Sequence, residues 1–250
     1  MANFDAVKKE GIVLRKTELG EADCMVSCIG EEGKFSFYAK GIRKTTSKNG
    51  PSLNELTLSE FTLLLRPGGD ANYLLKEAAG RKNYMKDGDF DAIAVENFLC
   101  ELTSRAYNEE EGEGKEFYPY LKAALEAIGD GFDPLTVGFL CFATTLRLIG
   151  FGLEVDNCVR CLGKKGIIGV NYPDGGFICS SCFEGDFDEK LDAYSLKVLR
   201  FAFRYKPEDM RRVVFPKESI RPLFHSLEEY FREGLGYSLK TLQFLLSYAF

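Results

Sequence analysis

Eight cysteines and one histidine, His225, bound the side-chain chemistry open to this chain of 250 residues. Four of the cysteines fall in "NCVRCLGKKGIIGVNYPDGGFICSSC" as two Cys-x-x-Cys pairs, Cys158 with Cys161 and Cys179 with Cys182, seventeen residues apart. That spacing suits a zinc site: each pair lies on a tight turn, and two turns aim four thiolates at one tetrahedral ion. Short strands at "GIIGVNY" and "GGFIC" would bring the second turn back over the first. Such a site is closed and leaves no position for a water, so the expectation is one structural Zn2+ with no catalysis. Two disulfides compete with this reading, but a reducing cytosol disfavours them. A redox pair also competes, although it needs only one Cys-x-x-Cys and belongs in a βαβ unit. A nucleobase-deaminase site is excluded, because it needs a His-x-Glu upstream and His225 lies downstream. Schemes with two histidines are excluded too. Cys24, Cys28, Cys100 and Cys141 sit in strand or helix patterns and read as buried thiols.

A second set of residues has a different chemistry. The stretch "KFSFYAKGIRKTTSK" carries Lys34, Lys40, Arg43, Lys44 and Lys48 and no acidic residue. Positive charge beside aromatic rings is what single-strand binders use, with the charge on phosphates and the rings under bases. Phe35 and Phe37 alternate with Ser36 and Tyr38, so the two phenylalanines are expected to fill a core, leaving Tyr38 to stack. Arg15 and Lys16 on the first strand, and Arg81 and Lys82 at the domain junction, extend the path. The competing reading is a solvated basic loop. Lys164 and Lys165, between the cysteine pairs, read as a solvated turn or as a further contact.

The elements that position these residues divide the chain. Residues 1–82 carry thirteen Lys/Arg and eleven Asp/Glu, for +2, and the remainder carries −8. A polyanion site therefore belongs in the N-terminal third. Five short runs rich in β-branched and aromatic residues occupy that third: "GIVLRKTEL", "DCMVSCI", "KFSFYAKGI", "LTLSEFTLLLRPG" and "NYLLKEAA". Turn signals at Leu19-Gly20-Glu21, Glu32-Gly33 and Pro67-Gly68-Gly69 separate them. Five strands in this length suit a small OB-fold barrel, with an SH3-like barrel as the alternative. Beyond residue 85 the apolar period becomes helical, as in Phe90, Ile93, Ala94, Phe98 and Leu102. Asp133-Pro134 and Gly150 mark the start and stop of another helix. The polar loop "NEEEGEGKE" separates these two helices, and two more helical runs and a last segment, "LKTLQFLLSYAF", follow the cysteines.

The expected fold class is α+β and multidomain. An N-terminal five-stranded OB-fold barrel, residues 1–82, precedes an α-helical domain, residues 83–250, that carries an inserted four-cysteine zinc finger at residues 156–184. No run of eighteen or more apolar residues occurs and "MANFDAVKKEG" lacks a signal-peptide core, so no membrane association and a cytoplasmic location are expected.

The run "GIVLRKTELGEADCMVSCIGEEGKFSFYAKGIRK" resembles the opening of the RecO family of bacterial recombinational repair mediators. Gly20-Glu21-Ala22-Asp23 matches that family's G-E-x-D turn, and Ala39-Lys40-Gly41-Ile42-Arg43-Lys44 its basic segment. "FATTLRLIGFGLEVDNCVRC" is similar to the helix end that runs into the family's cysteine cluster. The likeness spans nearly the whole chain in order, with Lys40 where arginine is usual. The resemblance implies a non-enzymatic protein of DNA repair and recombination that binds single- and double-stranded DNA and anneals complementary strands. It implies partnership with RecR and with the C-terminal tail of single-stranded-DNA-binding protein, SSB, to load recombinase onto coated DNA. The acidic, Phe-ending tail calls for an apolar pocket rimmed by basic residues, for which Arg147, Lys197, Arg200 and Arg204 are candidates. The DNA candidates are Arg15, Lys16, Lys34, Tyr38, Lys40, Arg43, Lys44 and Lys48. The alternative is a protein–protein adaptor with structural zinc and incidental DNA affinity, which the net charge of −6 favours.

Overall fold

The structure is a computed structural model that describes residues 6–44, 46–65, 73–85, 88–107 and 110–248. Its N-terminal sheet has five strands: β1 (Ala6–Leu19), β2 (Asp23–Gly30), β3 (Gly33–Ala39), β4 (Thr57–Leu65) and β5 (Tyr73–Asn83). They follow one another in the order β1-β2-β3-β5-β4, and β4 pairs back onto β1. The expected turn at Pro67-Gly68-Gly69 lies outside the described residues.

The first strand serves two partners. Its first half pairs with β4, from Ala6↔Leu64 to Ile12↔Leu58. Its second half pairs with β2, from Ile12↔Ile29 to Leu19↔Asp23, with a register shift between Val13 and Arg15. Glycine allows the strand to change partners. A Cβ on Gly11 would lie 2.9 Å from the Phe35 ring, and one on Gly30 would lie 2.3 Å from the Glu10 carbonyl. Inside the sheet, Phe35, Phe37 and Phe61 pack ring against ring with centroids 4.9–6.3 Å apart. The expectation that Phe35 and Phe37 are core residues agrees with their burial.

The expected fold class needs correction here. The pairings describe a mixed, unevenly closed sheet in place of an OB-fold barrel of five short strands. Four seams are antiparallel and extended. The fifth, β3 with β5, is parallel and rests on one registered pair, Tyr38↔Leu74. The first strand is fourteen residues long. Its first half was not legible as a strand because Lys8-Lys9-Glu10 shows no apolar alternation.

Among the described residues six α-helices follow: α1 (Phe90–Ala106), α2 (Tyr118–Gly129), α3 (Pro134–Leu148), α4 (Ala193–Ala202), α5 (Lys217–Leu235) and α6 (Lys240–Tyr248). Aspartates cap the starts of three. Asp89 accepts from Ala92 N, Asp133 from Thr136 N and Asp192 from Ser195 N, each satisfying an amide that the helix leaves free. The helices bury a phenylalanine-rich core that includes Phe98, Phe139, Phe142, Phe224 and Phe231. Ile12, Leu14, Ile29, Leu56 and Leu58 of the N-terminal region belong to the same core, so the helical layer packs directly on one side of the sheet. Between α3 and α4 the cysteine segment folds as a small antiparallel sheet, ordered β7-β6-β8, from β6 (Ile167–Asn171), β7 (Gly176–Cys179) and β8 (Glu189–Lys190).

Candidate nucleic-acid interface and metal centre

The turn between β1 and β2 is tied to the basic segment by one carboxylate. Asp23 accepts a hydrogen bond from the Tyr38 hydroxyl and another from the Gly41 backbone N–H at 2.6 Å. Arg43 N donates to the Ala22 carbonyl at 3.0 Å. Both Gly20 and Gly41 have positive φ, at 65°, which a side chain disfavours. The Tyr38 hydroxyl, then the Gly41 amide, hold the Asp23 carboxyl below the usual range, so it is a fixed anion at neutral pH. Around it stand Lys40 and Lys44, whose charges also act on Asp23. Burial raises the Cys24 thiol, while Arg43 and Lys16 pull it down, so these two cations share the same end of the sheet.

The structure therefore brings together Lys16, Tyr38, Lys40, Arg43 and Lys44. All four cations are exposed, and Tyr38 is half-buried. Arg43 reaches Glu18 at 3.0 Å, and Lys16 reaches the Asn54 side chain at 3.4 Å. Lys48 is exposed further along the same loop. Arg15 sits apart, in a groove between the sheet and the helices that Glu101, Arg105 and Lys240 also line. Arg81 is paired with Glu60, and the Lys82 ammonium lies 4.7 Å from the centre of the Tyr84 ring.

Lys34 is a correction. It is 1% exposed, and its ammonium donates to the carbonyls of Ser104 at 3.2 Å and Tyr107 at 2.9 Å. Those carbonyls belong to the last turn of α1 and the residue after it, where a helix leaves acceptors free and a cation is favoured. Lys34 fastens the sheet to the helices and cannot reach a phosphate. Its backbone is engaged as well: Lys34 N donates to Glu113 O at 2.7 Å, and its carbonyl accepts from Gly112 N at 2.9 Å. The acidic loop is thus docked on the sheet, where Glu111 accepts from Lys9 at 2.6 Å and from the Tyr73 hydroxyl at 2.8 Å.

Of Arg147, Lys197, Arg200 and Arg204, the three arginines have partners within the chain. Arg147 donates to the Tyr120 hydroxyl at 3.1 Å. Arg200 donates to Val155 O at 2.7 Å and covers the Phe177 ring, and Arg204 reaches Asp156 at 2.7 Å. The arginines of α4 and its C-terminal end thus hold the cysteine segment in place, and only Lys197 stands exposed without that duty. An apolar hollow lies elsewhere, between α1 and α6. It measures about 280 Å³ and is lined by Phe90, Ile93, Ala94, Asn97, Lys240, Thr241 and Phe244. Phe90 and Phe244 are half-exposed there, with the Tyr248 ring 4.3 Å from that of Phe90. No local pattern in the sequence records it, because its walls come from helices far apart in the chain. Leu242, Leu245 and Leu246 fill the buried face of α6, which leaves Phe244 and Tyr248 as surplus aromatics.

The four cysteines of the segment converge. The sulfurs of Cys158, Cys161, Cys179 and Cys182 all lie within 4.8 Å of one another, with Cys161 and Cys179 at 3.7 Å. Four sulfurs bonded at about 2.3 Å to one tetrahedral ion lie about 3.8 Å apart, so the cluster fits a single metal ion. Without metal the thiols differ. Burial pushes Cys158 up, but backbone N–H groups of Cys179, Cys161 and Arg160 outweigh it and bring the thiol down to about 6. Cys182 is pushed up to about 12, first by its hydrogen bond with Cys161.

A second set of residues, not singled out in the sequence, locks the cluster. Arg160, inside the first Cys-x-x-Cys, makes a two-pronged contact with Asp188 at 2.8 Å on both prongs. It also reaches Asp174 at 2.9 Å and the Cys182 carbonyl at 2.6 Å. The Asp188 side chain is fully buried, and Asn171 and Glu184 N complete its shell. Burial alone would raise the Asp188 carboxyl; the Glu184 amide and Arg160 hold it down. The remaining cysteines, Cys24, Cys28, Cys100 and Cys141, are buried.

A sheet with a cationic end, packed on a helical body that carries a four-cysteine cluster, defines an α+β class of protein with a segment able to hold a metal ion set between its helices. Among the described residues no helix is long and apolar enough to cross a membrane. The family models for the N-terminal and C-terminal parts of recombination protein O match residues 1–81 and 87–243. The chain belongs to the recombination protein O family. It is similar to the DNA repair protein RecO of Bacillus velezensis, 26% identical over 240 residues, covering 95% of this chain and 93% of the relative. The RecO proteins of Bacillus subtilis, at 25%, and Listeria welshimeri, at 27%, match with the same coverage.

Proposed function

We propose that the protein is a cytoplasmic mediator of DNA recombination and repair that binds single- and double-stranded DNA and anneals complementary strands. In this reading it acts with RecR to load recombinase onto SSB-coated DNA. The observation that carries the reading is the Asp23 clasp, which gathers Lys16, Lys40, Arg43 and Lys44 at one end of the sheet. Four cations at one end neutralise consecutive phosphates, and the family membership supports DNA as the polyanion. The protein breaks no covalent bond in this scheme. It lowers the search for a complementary strand by holding strands together, and hybridisation supplies the free energy.

The domain division at residues 82 and 83 assigns DNA to the first part and protein partners to the second. The α1–α6 hollow suits the acidic, Phe-ending SSB tail better than the α4 arginines do: it offers apolar walls with Lys240 at the rim. Cys158, Cys161, Cys179 and Cys182 hold one structural Zn2+, a staple for a segment too small for its own core.

Annealing of complementary SSB-coated strands, with and without the protein, tests the reading. Acceleration that is lost in Lys40→Ala/Arg43→Ala/Lys44→Ala and weakened steeply by salt is expected. No acceleration by the intact protein, together with undiminished pull-down of its partners after nuclease treatment, would establish the adaptor instead.

A further inference from the structure

The first cysteine turn presents a leucine to solvent in a conformation that leucine disfavours. Leu162 follows Cys161 directly, has φ of +60° and is 75% exposed, the highest value among the exposed large apolar residues described. Two backbone bonds hold it there: Leu162 N donates to Cys158 O at 2.8 Å, and Cys158 N to Gly163 O at 2.8 Å. The left-handed backbone costs an L-residue free energy that glycine escapes, and the leucine side chain recovers none of it by burial. Strain of this kind, beside an exposed apolar group, points to a contact outside the chain.

Its neighbours identify the contact. Lys164 and Lys165 are exposed beside it, and no acidic residue occurs from Cys158 to Tyr172. Asp174, Glu184 and Asp188 of the neighbouring turns are engaged by Arg160. Two exposed cations beside one exposed apolar side chain have the chemistry of a wedge on DNA. The cations take phosphates while the apolar group slips against base faces.

We propose that the Leu162–Lys165 tip is a second DNA contact, separate from the Asp23 cluster; it rests on the reading of the protein as a DNA binder. The tip adds two phosphate contacts and one base contact. A single strand and a duplex share this chemistry.

The test uses the full chain and a fluorescein-labelled oligonucleotide, single-stranded in one arm and duplex in the other. Lys164→Ala/Lys165→Ala is expected to flatten the plot of log affinity against log salt by about 1.4 on the single strand or about 1.8 on the duplex, and the arm that responds names the ligand. Leu162→Gly separates function from folding. It relieves the backbone, so bound zinc and melting temperature are expected to hold or rise, while affinity falls by about threefold or more. Unchanged slopes in both arms, with intact binding by the parent protein, overturn the tip and leave the Asp23 cluster standing. No binding by the parent protein overturns both.

Discussion

Lys34 Nζ donates to the carbonyl of Tyr107 at 2.9 Å and so joins β3 to the end of α1. A residue in the middle of a basic run thereby serves as a bolt between two layers. Lys34→Met removes the bolt and leaves two carbonyls short of a donor, which is expected to cost about 2–4 kcal/mol of stability. Urea unfolding measures it. Lys40→Ala, on the exposed side of the same run, is expected to stay within about 0.5 kcal/mol. Equal effects for the two would remove the distinction drawn between them.

Asp23→Ala separates positioning from charge. The change removes a negative charge from a cationic site, so electrostatics alone predict tighter DNA binding. The clasp predicts the reverse, because Tyr38 and Gly41 lose their acceptor and the segment bearing Lys40, Arg43 and Lys44 is no longer pre-ordered. Affinity is expected to fall about threefold or more, with faster hydrogen exchange at the Gly41 and Arg43 amides. Tighter binding would show that Asp23 is only a repulsive charge.

Arg160 orients the cysteine turn through Asp188, and the loss of such outer partners typically costs about 10–100-fold in metal affinity. Arg160→Lys keeps the charge but cannot make both prongs at once. Competition with a chromophoric chelator is expected to show weaker zinc retention in Arg160→Lys and Asp188→Asn, with the four cysteines intact. Retention equal to the parent would mean that the sulfurs alone set the affinity.

Glu101 anchors the start of α6, accepting from Thr241 N at 2.8 Å, Thr241 Oγ1 at 2.6 Å and Lys240 N at 3.2 Å. Burial raises its carboxyl, but the Thr241 and Lys240 bonds outweigh it and leave the group below the usual glutamate range. A lowered native value means that the unfolded chain binds the proton more readily. The stabilisation is therefore complete above the ordinary glutamate value, about 4.3, and is lost as pH falls through the lowered one. Amide exchange along α6 is expected to accelerate in that acid window and to be pH-insensitive there in Glu101→Gln. Equal acid sensitivity of this exchange in Glu101→Gln and in the parent would assign the anchoring to the Leu242 and Leu245 face.

The local chemistry of this chain was legible in its sequence. Cys-x-x-Cys spacing depends only on a short turn, so Cys158, Cys161, Cys179 and Cys182 could be named as one cluster, and the strands beside them with it. The helix start at Asp133-Pro134 likewise rests on neighbouring residues. The ordered motifs from Gly20 to Lys44 also pointed to the family. The tertiary structure decided what depends on residues far apart. Lys34 and Lys40 are six positions apart in one basic run, yet only the docking of α1 turns Lys34 inward. Arg200 and Lys197 share a helix, yet the cysteine segment folds back over Arg200 alone. The Phe90–Phe244 hollow joins residues from opposite ends of the helical region, and no local pattern records that meeting. Alternation and spacing report how a residue sits relative to its neighbours in the chain; which cation reaches water is set by what packs on it from elsewhere.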